Sequence, residues 1–307
     1  MLDLVGKRYY WFLLSLIVII PGLLSLAVHG LRLSIDFTGG TLWEIQLSRP
    51  VQPGDVRQVL TQNGIDDAIV QTADNNVVLI RMRELKEGSP EKEKLVQALR
   101  ASFGDITELR LESVGPTLGT AIRNRAIVAV ALTTVGILLY IAWAFRNTNN
   151  PLLYGIAAII AMLHDVAVVV GIFSILGWLR GVEVDALFVT ALLTVIGFSV
   201  HDTIVVFDRI RENLARRAAP TFEQIVNYSL VQTLVRSINT SLTVVLTLLA
   251  LYLLGGETIR TFVLALLIGI VSGTYSSIFN ASQIVVVWEN RELHRLFARL
   301  RRQHAPA

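Results

Sequence analysis

Gly197-Phe198-Ser199-Val200-His201-Asp202-Thr203-Ile204-Val205-Val206-Phe207-Asp208-Arg209-Ile210-Arg211-Glu212-Asn213 sets a carboxylate, Asp202, inside an apolar run that otherwise reads as a membrane span. A charge near the centre of a span costs roughly 2.5–3.5 kcal/mol on insertion scales, so such residues face a polar pathway or a partner. On a helix the face of Asp202 carries Val195, Phe198, Ser199, Val206 and Arg209, and Ser199 is its expected polar neighbour. Two roles are open to Asp202. It is a proton carrier whose charge switches with occupancy, or a span-end residue that reaches headgroups, since Asp208 and Arg209 follow. From Asp185 it lies about 25 Å along the helix at 1.5 Å per residue, toward one membrane surface.

The rest of the chain fits a membrane setting. Of its 307 residues 53% are hydrophobic and only 17% charged, which is too apolar for an ordinary soluble domain. The mean hydropathy is +0.58. The net charge of +3 is small, and its arginines cluster near span ends, so it reads as topology and not as nucleic-acid binding. The absence of cysteine excludes disulfides and thiolate metal sites.

Six runs are long enough to span, near 11–30, 126–145, 152–177, 186–207, 238–254 and 260–288. The first lacks a small-x-small cleavage site and is read as a retained span. Lys7, Arg8 and Arg146, then Arg209, Arg211, Arg216, Arg217 and Arg236, then Arg291, Arg295, Arg299, Arg301 and Arg302 all fall on one side. Arg180 and Arg260 lie opposite, and Arg123 and Arg125 oppose the trend weakly. The positive-inside rule then puts both termini in the cytoplasm. The expected organisation is a cytoplasmic N-terminus with span one over 1–30, an external domain over 31–124, spans two to six over 125–288, and a cytoplasmic tail over 289–307 beside anionic lipid.

The polar block has its own periodicities. Thr41–Leu47 alternates as a strand does. Pro53–Asn63 has helical spacing, and Ala68–Thr72 and Val77–Met82 flank the turn residues Asp74-Asn75-Asn76. Ser89-Pro90 is a helix start, Leu95, Leu99 and Phe103 form its apolar stripe, and Ile106–Val114 is a last strand. The order βαββαβ predicts a ferredoxin-like α+β domain.

Other polar residues fall inside spans. Arg236 opens span five, and Thr240, Thr243 and Thr247 follow on its face, a stripe expected to aim into a bundle. Arg236 is either a counter-charge to Asp202 or a snorkelling anchor. His164-Asp165 lies mid-span three. Asp165 is either a second relay carboxylate or a structural hydrogen-bonding group. Neighbours in a helix point about 100° apart, so neither His164-Asp165 nor His201-Asp202 is expected to hold a metal. Gly269, Gly273, Ser277 and Ala281 form a small-residue stripe suited to close helix packing, and Ser272, Ser276 and Asn280 line an adjacent face able to hold water.

Four separated patches resemble the SecF family of bacterial protein-export subunits. They are Asp36-Phe37-Thr38-Gly39-Gly40, Val114-Gly115-Pro116-Thr117-Leu118-Gly119, the Asp202 segment, and Gln232 to Ser241 together with Gly273 to Phe279. The family pattern has Asn where His201 stands, and His201 is read as its replacement; His201, His164 and Asn239 are taken as modulating residues. The resemblance implies six transmembrane helices forming half of an RND-type transporter, with an external α+β domain between helices one and two. It implies a multi-pass protein of the bacterial inner membrane that is not an enzyme and needs no cofactor beyond protons as coupling ion. SecD, the Sec translocation channel, preprotein substrates and membrane lipids are the implied partners. Proton transfer is assigned to Asp202, Arg236, Ser199, Thr240 and Asp165. Asp36, Gly39, Gly40, Gly115, Pro116 and Gly273 are structural motif residues, and Asp36–Gly40 is read as a joint between span and domain. Two competing readings are an RND-type half-transporter for lipid or small molecules, and an intramembrane aspartyl protease built on Asp165 and Asp202. The first predicts a second, larger loop domain. The second needs motifs that Leu163-His164-Asp165 and Val200-His201-Asp202 do not match.

Overall fold

A computed structural model describes residues 2–146 and 150–292. The tail residues Arg295, Arg299, Arg301 and Arg302, expected beside lipid, lie outside the described residues. The chain divides into two units: Leu33–Val128, and the residues on either side of it.

All six expected spans are present as α1 (Arg8–His29), α5 (Pro116–Ala144), α6 (Pro151–Arg180), α7 (Ala186–Ala215), α8 (Phe222–Leu254) and a sixth run of α9 (Glu257–Ser276), a π-helical turn (Ser277–Ala281) and α10 (Ser282–Glu289). Several helices overrun the hydrophobic runs that mark them. α5 starts at Pro116 instead of near 126, and α8 starts at Phe222 instead of near 238. Hydropathy marks only the apolar part of a helix, whereas capping chemistry sets its ends. Thr221 accepts the Gln224 amide at the start of α8, and Asp185 accepts the Phe188 amide at the start of α7. Gly181, in the left-handed conformation, closes α6.

Small residues set the spacing of the bundle. A Cβ built on Gly22 of α1 would lie 2.8 Å from Cα of Gly171 in α6, so these two backbones touch. On α9, Gly269 packs on Val195 and Gly273 on Ser199, both from α7, as the small-residue stripe predicts. Phe145, Tyr154 and Phe207 stack and cross edge-on at ring separations of 5.1–6.0 Å in one apolar cluster. Polar clamps tie the ends of α1 and α8. Asn227 accepts the amides of Leu4 and Val5 and donates to the carbonyl of Leu2. Arg8 bridges Glu292 and Glu223 at 2.5 and 3.1 Å. Burial pushes the Glu292 carboxyl up, but hydrogen bonds from Arg8, Tyr9 and Asn290 outweigh it and hold the group below the usual carboxylate range. A depressed folded-state value stabilises the clamp above the ordinary glutamate range, and that contribution is lost as pH falls through the folded value.

The unit Leu33–Val128 contains a short helix α2 (Ile35–Thr38), then β1 (Gly40–Leu47), α3 (Pro53–Gln62), β2 (Ile69–Thr72), β3 (Val77–Met82), α4 (Pro90–Phe103) and β4 (Ile106–Val114). The strand order is β2-β3-β1-β4, antiparallel throughout, which is the split βαβ arrangement. Alternate residues Trp43, Ile45 and Leu47 of β1, and Val78, Ile80 and Met82 of β3, share one core with Val56 and Leu60 of α3 and Leu95, Leu99 and Phe103 of α4. The two glycine patches meet here. Gly40 pairs with Val114, and a Cβ on Gly39 (φ 73) would lie 2.8 Å from Cα of Pro116. Gly39 is therefore doubly constrained, by its positive φ and by the helix start against it.

Replacing Gly171 by Val forces α1 away from α6, and overpacking of this kind costs about 1–3 kcal/mol. We expect a clear drop in the thermal midpoint of Gly171→Val. Gly136→Val, where nothing lies within 4 Å of the added Cβ, serves as the near-neutral control.

Candidate functional site

Asp202 sits on α7 with 4% of its surface exposed. Its Oδ1 accepts a 3.4 Å hydrogen bond from Ser237 Oγ of α8, and Oδ2 has no hydrogen-bonding partner among the described residues. His201 precedes Asp202 on α7, and Arg236 precedes Ser237 on α8. Neither forms an ion pair with Asp202 among the described residues, and both are exposed. Asp202 is thus buried and hydrogen-bonded on one oxygen only among the described residues.

The expected link from Ser199 to Asp202 is not made. Ser199 Oγ donates instead to Asp165 Oδ2 at 2.6 Å, across the interface to α6. At i−3 the two side chains share a helix face roughly, but α6 lies against Ser199 and offers a carboxylate within reach. The threonine stripe also differs from expectation. Thr240, Thr243 and Thr247 are exposed, and so is Asn239. Their hydroxyls fold back onto α8's own backbone: Thr240 onto the Arg236 carbonyl at 2.9 Å, Thr243 onto Thr240 at 2.8 Å, Thr247 onto Thr243 at 3.0 Å. The stripe faces outward from this chain because α8 packs through its other side, where Ser229, Thr233, Ser237 and Ser241 are buried.

Asp165 accepts hydrogen bonds on both of its oxygens. It is fully buried. Oδ2 accepts from Ser199 and from Ser276 Oγ, both at 2.6 Å. Oδ1 accepts from Ser272 Oγ at 2.7 Å and lies 3.0 Å from His164 Nδ1. A carboxylate has about four lone-pair sites, and all four are occupied. Of the two readings open to Asp165, its geometry is that of a structural hydrogen-bonding centre joining α6, α7 and α9. Ser272 and Ser276, expected to line a water-holding face, are its donors. Gly273 between them keeps α9 close: a Cβ there would lie 3.1 Å from Ser199 Cβ and 3.6 Å from Asp165 Oδ2.

Further hydroxyls tie the sixth span to α7 and α1. Ser277 Oγ donates to the Ser199 carbonyl at 3.1 Å and pairs with Thr203 Oγ1 at 2.8 Å. Asn280 and Ser15 of α1 are hydrogen-bonded, and Tyr275 OH donates to the Trp11 carbonyl at 2.6 Å. Ser237 and Thr203 were not singled out in the sequence. Ser237 follows Arg236 directly and Thr203 follows Asp202, so adjacency to the charged residues was the signal available. Asp36, Gly39, Gly40, Gly115 and Pro116 belong to the other unit, where Gly39 packs against Pro116 and Gly40 against Met82.

The fold and site define a polytopic membrane protein whose helices enclose carboxylates and hydroxyls, with an α+β unit between the first two spans. A family model described as the C-terminal part of the protein export membrane proteins SecD and SecF matches residues 94–291, and one for the SecD/SecF GG motif matches residues 24–51. The protein translocase subunit SecF of Thermobaculum terrenum is 63% identical over 97% of this chain and 98% of its own length. That of Anaerolinea thermophila is 49% identical over 97% and 98%. A crystal structure of SecDF from Thermus thermophilus, a translocon-associated membrane protein, matches with a TM-score of 0.80 and 37% identity over 94% of this chain. The chain spans 39% of that longer protein. The chain belongs to the SecF family of protein translocase subunits, which are transport proteins and not enzymes.

Asp165→Asn replaces one acceptor oxygen by an amide that needs acceptors where only donors stand. A buried group left unsatisfied costs about 1–3 kcal/mol, and more for charged groups. Thermal unfolding should show Asp165→Asn well below wild type, and Ser276→Ala lowered by a smaller amount.

Proposed function

We propose that this subunit couples proton flow across the bacterial inner membrane to the late steps of preprotein export, as one half of an RND-type pair with SecD beside the Sec channel. The observation that carries the reading is the contrast between the two buried carboxylates. Asp165 accepts from three serine hydroxyls, whereas Asp202 has one long hydrogen bond and, among the described residues, one unpartnered oxygen. A carrier must gain and lose a proton without dismantling the bundle, and only Asp202 meets that condition. Arg236, which directly precedes Ser237 on α8, is its counter-charge. Ser237 steadies one oxygen of the carboxylate, and Thr240 continues the polar face of α8 from Arg236.

The pairing with SecD draws support from the matched SecDF chain, in which a SecF-like part occupies 39% of the length. It is also supported by the exposed faces of this chain, for only 17% of the apolar window of α8 and 6% of that of α5 are buried. Arg236, Asn239 and the three threonines would meet hydrocarbon there without a covering partner. The arginine distribution supports cytoplasmic termini, which leaves Leu33–Val128 outside and free to act on the emerging chain.

Asp202→Asn should abolish gradient-stimulated export in reconstituted vesicles while leaving membrane insertion and thermal midpoint near wild type. Retained stimulation would refute the carrier role. Arg236→Lys should also impair export despite its retained charge, because an ammonium cannot reproduce the guanidinium's spread of donors. Full activity of the Lys variant would reduce Arg236 to a topological anchor.

A further inference from the structure

The membrane unit carries a cleft of about 410 Å³ that the proton-driven function leaves unused. It lies between α1, α6 and α9, and its wall is mostly apolar. On α6 the wall residues are His164, Val168 and Ile172, and on α9 they include Leu267, Val271 and Tyr275. Both sets recur every four positions, so the cleft follows the helix axes. Eight residues at a rise of 1.5 Å give a slot about 12 Å long. Leu14 and Val18, again four apart, supply wall from α1. Leu14, Val18 and Val271 are 44%, 44% and 51% exposed, so the slot is open along its side.

We propose that this slot holds one acyl chain of a membrane phospholipid, drawn from the leaflet on the N-terminal side of α1. Three features select that occupant. The first is shape. A helix is about 10–12 Å across, so 12 Å of one takes up on the order of 900 Å³. The slot has less than half of that volume, and a single hydrocarbon chain is long and thin enough to lie in it. The second is depth. Leu14 and Val18 lie about 9 and 15 Å along α1 from Arg8 at 1.5 Å per residue. Half of a hydrocarbon core is about 15 Å thick, so the slot sits among the chains of one leaflet. The third is the polar end. Lys7 and Tyr10 precede Leu14 by seven and four positions, continue its face of α1 and are exposed. A chain whose far end lies in the slot brings its phosphate to the level of these residues, where an ammonium and a phenol suit it.

The gain is packing. Helices in a bilayer have no hydrophobic drive toward one another, and an apolar slot left unfilled forfeits the dispersion contacts of its walls. A chain in the slot supplies them. It also closes the side of the bundle on which His164 and Ser272 meet Asp165.

The test is photo-cross-linking of the full chain, with its partner, in nanodiscs that contain a phosphatidylglycerol bearing a diazirine midway along one acyl chain. Mass spectrometry locates the adducts. Leu14 and Val18 line the slot, whereas Leu16 and Ile20 lie on the opposite face of α1 and are similarly exposed. We expect adducts at Leu14, Val18 and Val271 whose yield saturates as the probe content rises, and adducts at Leu16 and Ile20 that rise in proportion to it. Val271→Trp fills the slot from its rim and should lower the slot adducts about tenfold without changing those on the opposite face. Equal, unsaturable yields on both faces would overturn the proposal, because they mark ordinary boundary lipid. So would slot adducts that form in the isolated subunit and vanish in the complex, for then a segment of the partner occupies the slot. Unchanged slot labelling in Val271→Trp would overturn it as well. If that variant does not fold, saturation measured on the wild-type chain decides alone.

Discussion

One buried carboxylate organises the membrane bundle. Asp165 has no contact with solvent, and three serine hydroxyls from α7 and α9 converge on it with the imidazole of its neighbour. In a low-dielectric interior an unpaired charge is very costly, whereas a fully satisfied one fixes geometry. The three helices must therefore hold one register, because a shift of a single residue would carry the serines off the carboxylate. Gly269 and Gly273 permit that register by letting α9 approach α7 closely. The π-helical turn at Ser277–Ala281 follows directly and presents Ser277 to α7 and Asn280 to α1.

Against this rigid centre, Asp202 stands out by what it lacks. It lies on the same helix as Ser199, two-thirds of a turn to a turn further on, and faces α8 instead of α6. The two carboxylates share a chemical type but differ in how many donors meet them. On the function proposed above, that difference divides the labour: Asp165 holds helices together, and Asp202 changes charge. The exposed Arg236 and threonines of α8 form a polar stripe on a spanning helix, the kind of surface a partner covers.

Much of this was legible in the sequence. Six spans, the alternating strands at Thr41–Leu47 and Val77–Met82, the Ser89 cap and the positive φ of Gly39 and Gly40 all follow from local rules: apolar length, period, capping and tolerance of positive φ. Each such rule concerns residues within a few positions of one another, so one strand of sequence carries the whole signal. The family assignment rests on the same local patches. Helix ends were less legible, since α5 and α8 begin in polar sequence that hydropathy does not mark.

The partners of the buried polar groups were decided by the tertiary structure alone. The sequence placed Asp202, Asp165, Ser199, Ser272 and Ser276 inside spans, but it could not say which hydroxyl meets which carboxylate. Ser199 is three residues from Asp202 and thirty-four from Asp165, and it bonds to the distant one. The stripe at Thr240, Thr243 and Thr247 was visible as a stripe, yet its direction was not. A periodicity of 3.6 defines a face without saying what that face meets, and a hydrogen bond between helices depends on their rotation and approach. Those are properties of packed surfaces, set here by glycines meeting backbone and serines meeting one carboxylate, and no single segment of the chain contains them.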